Sequence, residues 1–400
     1  MITLEPAIRD YDWGTDGGIS RLLGREPAGG PEAELWIGTH PGFPTPTADG
    51  RTVADVVAAD PAGVLGAETA GRGGTRLPFL LKVLSAGRPL SVQVHPSPEQ
   101  ARAGFADEET RGVPLGAPHR NYVDDQPKPE MMVAVTPMRA LAGFRDPAAV
   151  RADLHRLLGA PGGGTSAELD ALLAGPDPAA TLRGALRLLL SGGEPAAGFV
   201  TRLVAAARAA DADDTTAGVV RLLAEHHPAD PGIAVGALLN HVDLAPGQAV
   251  FLGAGTPHAY LQGTGVEVMS ASDNVLRGGL TSKHVDVEEL LRIVDPVVSA
   301  PHRVAPEETA AGSRVFRTPV PDFALQRLEG GPGAELAVEQ NGPVLLLVLA
   351  GSALVTSGPG DAEELRRGGS LLVGAAEGPA RLRAGDDGVL AFAATVGRAG

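Results

Sequence analysis

The sequence predicts a mainly β fold interrupted by one helical insertion, and three observations indicate this. Short apolar runs broken by glycine and proline fill residues 1–145 and 239–310, a texture typical of strands. Residues 146–238 are rich in Ala, Leu and Arg, with apolar positions recurring every three or four residues, as on helices. Strand texture returns over residues 311–400. We therefore expect a discontinuous first β domain, a helical domain inserted into it, and a C-terminal β domain.

The individual elements follow in chain order. The apolar runs at 35–38 and 79–84 are short and bounded by turn residues, which predicts two strands. The run at 182–190 repeats its leucines with helical spacing. Alternation of polar and apolar residues over 266–270 predicts another strand, and 286–294 has the pattern of a short helix. The first and last domains therefore carry the strands that matter for a site.

A weak internal repeat links the two β regions. Residues 246–254 resemble 367–375, because in both a turn leads into a buried strand that ends in Gly-Ala. His258 follows the first copy, whereas Pro379 and Ala380 follow the second. The repeat predicts two related β-barrel units, of which only the first could hold a metal.

The composition excludes several classes of function. The 400-residue chain has no cysteine, so it has no disulfide, thiolate nucleophile or cysteine-based zinc site, which fits a reducing cytoplasm. Its net charge of −15 argues against nucleic acid as a partner. Residues 1–6 lack a signal-peptide pattern, and the longest apolar stretch, near 344–355, is too short to span a bilayer. We expect a soluble cytoplasmic protein that binds neither membranes nor nucleic acid.

The lysines are unusually few. Of thirty-three basic residues only Lys82, Lys128 and Lys283 are lysine, so arginine fills nearly every place where a generic positive charge would serve. Lysine carries a compact ammonium that can lose its proton, whereas arginine stays charged and planar. Each lysine lies near possible metal ligands. These positions are therefore candidates for chemistry.

A set of nitrogen and oxygen ligands surrounds the first two lysines. Ser91, Gln93 and His95 alternate along a predicted strand and would share one face. Burying an unpaired polar group costs roughly 1–3 kcal/mol, and a metal ion would offset that cost. Glu130 lies in a proline-bracketed turn and His258 follows a proline. Although Gln-x-His alone is more often structural, the set favours Zn²⁺, with Fe²⁺, Mn²⁺ or Co²⁺ as alternatives.

A second polar cluster follows His258. Glu267 lies in the alternating strand, and Asp273 and Arg277 stand four residues apart in a loop closed by glycines. The pair can be interpreted as catalytic or as an ordinary surface ion pair. The other histidines, including His40, show no partner pattern and are interpreted as structural.

Taken together, these motifs resemble one family, type I mannose-6-phosphate isomerase (phosphomannose isomerase). Both tryptophans and all three lysines fall inside the matching stretches. Those stretches are residues 11–14, 33–41, 78–84, 90–96, 121–130, 255–260 and 272–283.

The resemblance implies a fold and a set of site residues. The implied fold is a cupin-type β-barrel (jelly roll) catalytic domain, a helical insertion, and a second, cupin-like C-terminal domain without metal ligands. One zinc ion per chain is implied. The implied zinc ligands are Gln93, His95, Glu130 and His258; the implied catalytic and pocket residues are Arg277, Lys82, Lys128, Glu267 and Asp273; and Ser91 and Lys283 are similar to positions linked to substrate phosphate. Many bacterial members carry histidine directly before Lys-Pro-Glu, where this chain has Pro127.

The implied activity is the interconversion of mannose 6-phosphate and fructose 6-phosphate through a cis-enediol. The metal and Arg277 would stabilise charge on the two oxygens, while Lys128, Lys82 or Glu267 would carry the proton. We expect a neighbouring cation to lower a lysine pKa, and we expect Asp273 to serve ring opening.

Two other functions are compatible with such a barrel, namely a metal-dependent cupin oxygenase and a non-catalytic sugar-binding cupin. The expected partner is a small sugar phosphate, and the expected oligomeric state is a monomer. The implied setting is carbohydrate metabolism, where the product could serve glycolysis or, through GDP-mannose biosynthesis, mannosylated glycans.

Overall fold

The fold was analysed in a computed structural model that describes residues 1–71, 74–191, 193–310, 312–358 and 361–398. The strands are β1 (Ile2–Leu4), β2 (Ile8–Arg9), β3 (Thr15–Asp16), β4 (Pro31–Glu32), β5 (Glu34–Ile37), β6 (Phe79–Ala86), β7 (Gln93–Val94), β8 (Glu130–Ala134), β9 (Met138–Phe144), β10 (Leu239–Leu244), β11 (Ala249–Leu252), β12 (His258–Ser270), β13 (Leu276–Arg277), β14 (Arg303–Val304), β15 (Glu307–Glu308), β16 (Ser313–Phe316), β17 (Ala324–Gly330), β18 (Glu335–Ala337), β19 (Val344–Ser357), β20 (Asp361–Arg366), β21 (Ser370–Val373) and β22 (Ala380–Thr395).

The helices are α1 (Gly18–Leu22), α2 (Val53–Ala59), α3 (Pro61–Leu65), α4 (Ala67–Gly71), α5 (Pro98–Thr110), α6 (Pro147–Leu158), α7 (Thr165–Leu173), α8 (Pro178–Ser191), α9 (Gly193–Ala209), α10 (Thr215–His226), α11 (Gly232–Ala237) and α12 (Val287–Ile293). Within the described part of the chain, no helix has both the length and the apolar character needed to cross a membrane.

Two large antiparallel sheets organise these strands and confirm the mainly β prediction. The first sheet has eleven strands, with β14-β11-β8-β12-β6-β5-β2 as its main path and β7, β9, β10 and β13 attached. The second sheet has nine strands, ordered β1-β21-β19-β22-β17-β16-β15, with β18 and β20 attached. The strands of the internal repeat, β11 and β21, lie one in each sheet. The division into domains at the predicted residue boundaries remains a prediction.

Alternation along the strands gives each sheet two different faces. On β6, Leu81 and Val83 join a core that both sheets share, while Lys82 and Leu84 face the inside of the first sheet. On β19, Leu345 belongs to the shared core. Successive strand residues point to opposite sides, so each strand serves one shared core and one private interior. Each fully buried aliphatic side chain adds about 1.5–3 kcal/mol of stability.

Helices α6–α11 occupy the predicted insertion between β9 and β10. Sequence signals set where they start: Asp146 accepts a hydrogen bond from the Ala148 amide at the start of α6, with Pro147 as the first helical residue. Their apolar stripes pack on the first sheet in a core that also contains Val92 and Val94. The insertion therefore lies directly behind β7.

Of two local predictions, one is confirmed and the other gives a strand that is too long. The short helix predicted over 286–294 is present as α12, which begins after the N-cap residue Asp286. The strand predicted through 91–95 is shorter than expected, because only Gln93–Val94 pair as β7. The first strand of the chain, Ile2–Leu4, pairs with β21 and so joins the second sheet.

Candidate metal centre and active site

Three strands meet at Gln93. In register, Gln93 faces His258 of β12 on one side and Arg277 of β13 on the other. His95 follows directly after β7 and is fully buried. The two-residue strand therefore brings an amide, two imidazoles and a guanidinium from distant parts of the sequence to one end of the first sheet.

Glu130 lies between the two histidines. It is the first residue of β8 and is buried. Its carboxylate oxygens are 3.2 Å from His95 Nε2 and 3.4 Å from His258 Nε2. One ligand atom from each of these three residues lies within 4.8 Å of the others. This spacing is compatible with a single ion at their centre.

The hydrogen bonds of His95 and His258 show which ring nitrogen of each histidine carries the proton. His95 Nδ1 lies 2.7 Å from the Asn274 carbonyl oxygen, and His258 Nδ1 lies 2.9 Å from the Thr256 carbonyl oxygen. A carbonyl only accepts, so each Nδ1 carries the proton and each Nε2 presents a lone pair. His95 Nε2 is buried without a hydrogen-bond partner among the described residues. Lone pairs thus converge on a carboxylate, an arrangement that needs a cation.

Protonation of His95 does not resolve this convergence near neutral pH. Burial lowers the pKa of His95 to about 4, despite the nearby Glu130 carboxylate. Burial would raise the pKa of Glu130, but the nearby Lys128 ammonium opposes this effect, and that pKa lies well below its ordinary value. Neutral imidazoles and an ionised carboxylate are the forms that bind a metal. Such nitrogen and oxygen ligands suit zinc.

Two lysines supply positive charge to this end of the sheet. Lys128 Nζ is 2.8 Å from Glu130 Oε1, and Lys82 Nζ is 3.3 Å from Glu34 Oε1 and 3.6 Å from Glu267 Oε2. All of these side chains are buried. Each lysine is therefore held by ion pairs inside the first sheet.

The pKa of Lys82 is raised by the acidic residues around it. Burial would lower the pKa of Lys82, but the carboxylates of Glu34, Glu267 and Glu130 together raise it above its ordinary value. The carboxylates around Lys82 thus favour its charged form, and the lowering of a lysine pKa by a neighbouring zinc ion stays a prediction.

The pKa of Glu267 is also raised, but for a carboxyl group this favours the neutral form. Burial and the nearby Glu130 carboxylate raise its pKa to about 7, although Lys82 and Lys128 oppose that shift. The register of β12 against β6 pairs Glu267 with Lys82. Glu267 is thus a buried carboxyl group able to change protonation state near neutral pH, which is a property of general acid–base groups.

Asp273 pairs with a histidine that the sequence did not single out. His40 Nε2 lies 2.7 Å from Asp273 Oδ2, and His40 Nδ1 accepts a hydrogen bond from the Gly42 amide. His40 therefore has a partner that the sequence pattern did not reveal, and any role for it in the reaction is a proposal. Burial would raise the pKa of Asp273, but His40 lowers it, so the carboxylate stays ionised. Asp273 pairs with His40 and forms no ion pair with Arg277 among the described residues.

Arg277 and Lys283 are two neighbouring cations, of which Arg277 is half-buried and paired in register with Gln93, whereas Lys283 is exposed. Burial lowers the pKa of each, and the positive charge of Arg277 further lowers that of Lys283. Within the described residues, neither side chain makes an ion pair. Ser91 lies half-buried two residues before Gln93. Two neighbouring cations without an acidic partner leave room for an anionic ligand.

Sequence reasoning missed several residues of the site. Glu34 pairs with Lys82 and accepts a hydrogen bond from Trp36 Nε1 at 3.1 Å, and Trp36 in turn lies under the Lys82 ammonium. Asn274 donates to the Asp124 and Gln126 carbonyls and so fixes the loop that orients His95. Tyr260 Oη is buried with no hydrogen-bond partner in the described residues. Alternation along 34–36 was the one signal that could have revealed Glu34.

Comparison with known proteins gives a consistent result. A family model described as the phosphomannose isomerase type I catalytic domain matches residues 1–147. The mannose-6-phosphate isomerase of Escherichia coli (strain K12) is 35% identical over 389 residues, covering 96% of this chain and 97% of that protein. A curated mannose-6-phosphate isomerase of Salmonella typhimurium is 36% identical, covering 95% and 96%.

Solved structures agree over the full length. A mutant of phosphomannose isomerase from Salmonella typhimurium matches with a TM-score of 0.90 and 33% identity, covering 100% of both chains. The mannose 6-phosphate isomerase from Salmonella typhimurium bound to fructose 6-phosphate and zinc matches with a TM-score of 0.88 and 33% identity, again over 100% of both chains. The expected cupin-type fold is confirmed by these matches.

Proposed function

The chain belongs to the phosphomannose isomerase type I family, and we propose that its buried site interconverts mannose 6-phosphate and fructose 6-phosphate. The observation that carries this proposal is the convergence of His95, Glu130 and His258, together with the cations Arg277 and Lys283, which have no acidic partner among the residues that the structure describes. The first group binds a metal, and the second suits a phosphorylated substrate. The reaction is an intramolecular oxidoreduction of an aldose to a ketose.

Zinc is the cofactor that the site and the relatives support. His95, Glu130 and His258 would hold it, with Gln93 as a proposed fourth ligand from the register-paired strand. When bound, zinc supplies Lewis-acid stabilisation for negative charge that develops on neighbouring substrate oxygens. Lys128, at 2.8 Å from Glu130, keeps that carboxylate ionised and in place.

We assign the proton transfer to Glu267. The carboxylate accepts the proton from C2 of open-chain mannose 6-phosphate, the C–H electrons form the C1=C2 double bond, and the carbonyl electrons move to O1 to give a cis-enediolate. A proton then passes from O2 to O1, the C2 ketone forms, and the double-bond electrons take the proton back at C1 to give fructose 6-phosphate. Lys82 is held as an ammonium 3.6 Å from Glu267 and would stabilise its ionised form during each cycle. A positioned acid–base group of this kind contributes about 10²- to 10⁴-fold to a rate.

We assign ring opening and substrate binding to residues at the edge of the site. We propose that the Asp273 carboxylate takes the proton of the anomeric hydroxyl and returns it to the ring oxygen as the bond from C1 to that oxygen breaks, with His40 fixing the orientation of Asp273 through the 2.7 Å contact. Arg277 would stabilise the charged enediol oxygens, and Lys283 with Ser91 would bind the phosphate. Pro127 has no proton to give, so no step is assigned to that position.

We also propose the setting of the enzyme. It would be a cytoplasmic monomer that connects fructose 6-phosphate with mannose 6-phosphate for GDP-mannose biosynthesis. Size-exclusion chromatography with light scattering tests the monomer, which requires a mass near the 40.7 kDa of one chain.

Activity on mannose 6-phosphate tests the function. The zinc-loaded full chain is incubated with mannose 6-phosphate in deuterated water, and ¹H NMR follows the appearance of fructose 6-phosphate. We expect turnover that disappears on chelation and returns with zinc. Oxygen uptake by the ferrous-loaded chain without isomerisation would favour the oxygenase alternative, and sugar phosphate binding without turnover would favour the binding protein.

A further inference from the structure

The strongest unexplained feature outside the zinc site is a junction between the helical insertion and the loop after Arg277. Among the described non-glycine residues, only Ala229 and Leu280 have a positive φ, at 65° and 55°. Such backbone is uncommon and persists only where the surroundings hold it. Ala229 belongs to the helical insertion and Leu280 to the loop after Arg277, and these two segments contact each other. Strain at both sides of a single junction indicates that the contact is maintained for a reason.

Asp230 forms that contact. Its Oδ1 accepts hydrogen bonds from the amides of Gly232, at 2.7 Å, and Leu280, at 2.8 Å, and its Oδ2 accepts one from Thr281 at 3.1 Å. One carboxylate thus holds the amide of Gly232, the first residue of α11, together with two backbone amides of the loop from the first sheet. Hydrogen bonds to an ionised acceptor are stronger than neutral ones.

The two backbones at this junction lie so close together that neither Gly232 nor Gly279 could carry a side chain without a clash. A methyl group at Gly232 would lie 2.4 Å from the Leu280 nitrogen, and one at Gly279 would lie 2.4 Å from the Gly232 Cα. Leu280 is buried in the same core as Val92 and the insertion helices. The insertion therefore fixes where the loop runs, both by hydrogen bonds and by packing.

The path from this junction leads to Lys283. Thr281 Oγ1 accepts a hydrogen bond from the Lys283 amide at 3.0 Å. Arg277, by contrast, is held independently, because β13 pairs with β7 and the Gly278 amide donates to the Val92 carbonyl at 2.8 Å. The first sheet thus holds the loop as far as Gly279, whose carbonyl oxygen accepts a hydrogen bond from the Val92 amide at 3.1 Å, and Asp230 holds it from Leu280 onward toward Lys283.

We propose that Asp230 is a positioning residue through which the helical insertion holds Lys283 toward the substrate phosphate. This inference rests on the proposed function, in which Lys283 binds that phosphate. It gives the insertion a role in substrate affinity. Loss of Asp230 would leave the reacting groups in place and loosen the anion site.

The split between KM and kcat tests this role. In Asp230→Ala we expect the KM for mannose 6-phosphate to rise about tenfold, with kcat within threefold of the wild type and zinc content unchanged. The dissociation constant of inorganic phosphate, measured by calorimetry, should rise by a similar factor. Deuterium exchange of the 278–283 segment should accelerate. Asp230→Asn keeps one acceptor oxygen and should give a smaller change.

Asp177→Ala is the matched control. Asp177 also accepts backbone amides at a helix start, from Ala179 and Ala180, but in a part of the insertion away from the loop. This variant should share any loss of melting temperature and leave KM and phosphate affinity unchanged. If Asp230→Ala behaves like Asp177→Ala, Asp230 is only structural and the inference is overturned.

A double variant separates this inference from the proposed function. If Asp230 acts through Lys283, adding Lys283→Ala to Asp230→Ala should weaken phosphate binding little beyond Lys283→Ala alone. Fully multiplicative effects would contradict the coupling. Phosphate affinity is measurable even in a protein that does not isomerise, so absence of wild-type turnover would defeat the function while leaving the role of Asp230 to be decided by phosphate binding.

Discussion

The two sheets of this protein share one architecture and differ in what they place inside. On the inner face of the first sheet, Lys82, Glu130 and Glu267 lie buried at one end, and apolar residues fill the other. The inner face of the second sheet carries Leu346, Val348 and similar aliphatic residues. Among the described residues from 312 onward, no charged side chain is buried. Both sheets pack their outer faces into a common core.

This difference shows how one sheet can gain chemistry without changing its fold. Because strand residues alternate, a charged residue on the inner face leaves the apolar outer face intact. Burying charges is unfavourable unless they are paired, and in the first sheet the acids, lysines and a metal compensate one another. The second sheet contributes stability through apolar packing, and the first accepts polar burial that serves catalysis.

The largest effect should come from Glu267→Gln in the first sheet. The amide has nearly the same size but cannot take up the proton, so we expect kcat to fall about 10²- to 10⁴-fold. Stability should stay the same or rise, since a buried charge is removed. Steady-state kinetics and thermal unfolding measure both quantities. Turnover within fivefold of the wild type would remove Glu267 from the proton-transfer role.

Removing an inner leucine should sharpen the comparison between the sheets. Leu346→Ala in the second sheet should lower the free energy of unfolding by about 2–5 kcal/mol, because a fully buried side chain leaves a cavity. Its kcat should not change. Leu84→Ala in the first sheet should cost a similar amount and also lower kcat, because Leu84 is two residues from Lys82 on the same face. Equal kcat values in the two variants would contradict the proposal that only the interior of the first sheet supports catalysis.

The pH dependence of the wild type should follow Glu267. The carboxylate must be ionised to accept the proton, so kcat/KM should fall about tenfold per pH unit below its pKa. Burial and the Glu130 carboxylate raise that pKa to about 7. A cation at Glu130 lessens the repulsion, so the limb should lie between the ordinary value of 4.5 and about 7. The limb should vanish in Glu267→Gln; its persistence there would assign it to another group.

The smallest effect is expected for Lys128→Arg. Arginine keeps the positive charge beside Glu130 but is bulkier and planar, so we expect kcat to fall about tenfold through a poorer fit. If Lys128 were the base, the always-charged guanidinium would abolish turnover. Measured kcat and zinc content together decide between these roles.

The sequence predicted much of the site because each member lies in a short recognisable motif, although the motifs are far apart along the chain and meet only in the fold. The resemblance to a known family over stretches in the same order predicted that His95, Glu130 and His258 bind one metal ion. Pairings set by strand register were not predictable: Glu34 meets Lys82 only because β5 lies beside β6. That neighbour also raises the pKa of Lys82. His40 was missed because its partner, Asp273, is 233 residues away.

The most direct test of the central claim is anomalous diffraction at the zinc absorption edge from crystals of the zinc-loaded protein. We predict one strong peak per chain, enclosed by His95 Nε2, His258 Nε2 and the Glu130 carboxylate, with Gln93 on its open side. A chain that isomerises mannose 6-phosphate with no zinc at this position, or with zinc bound elsewhere, would contradict it.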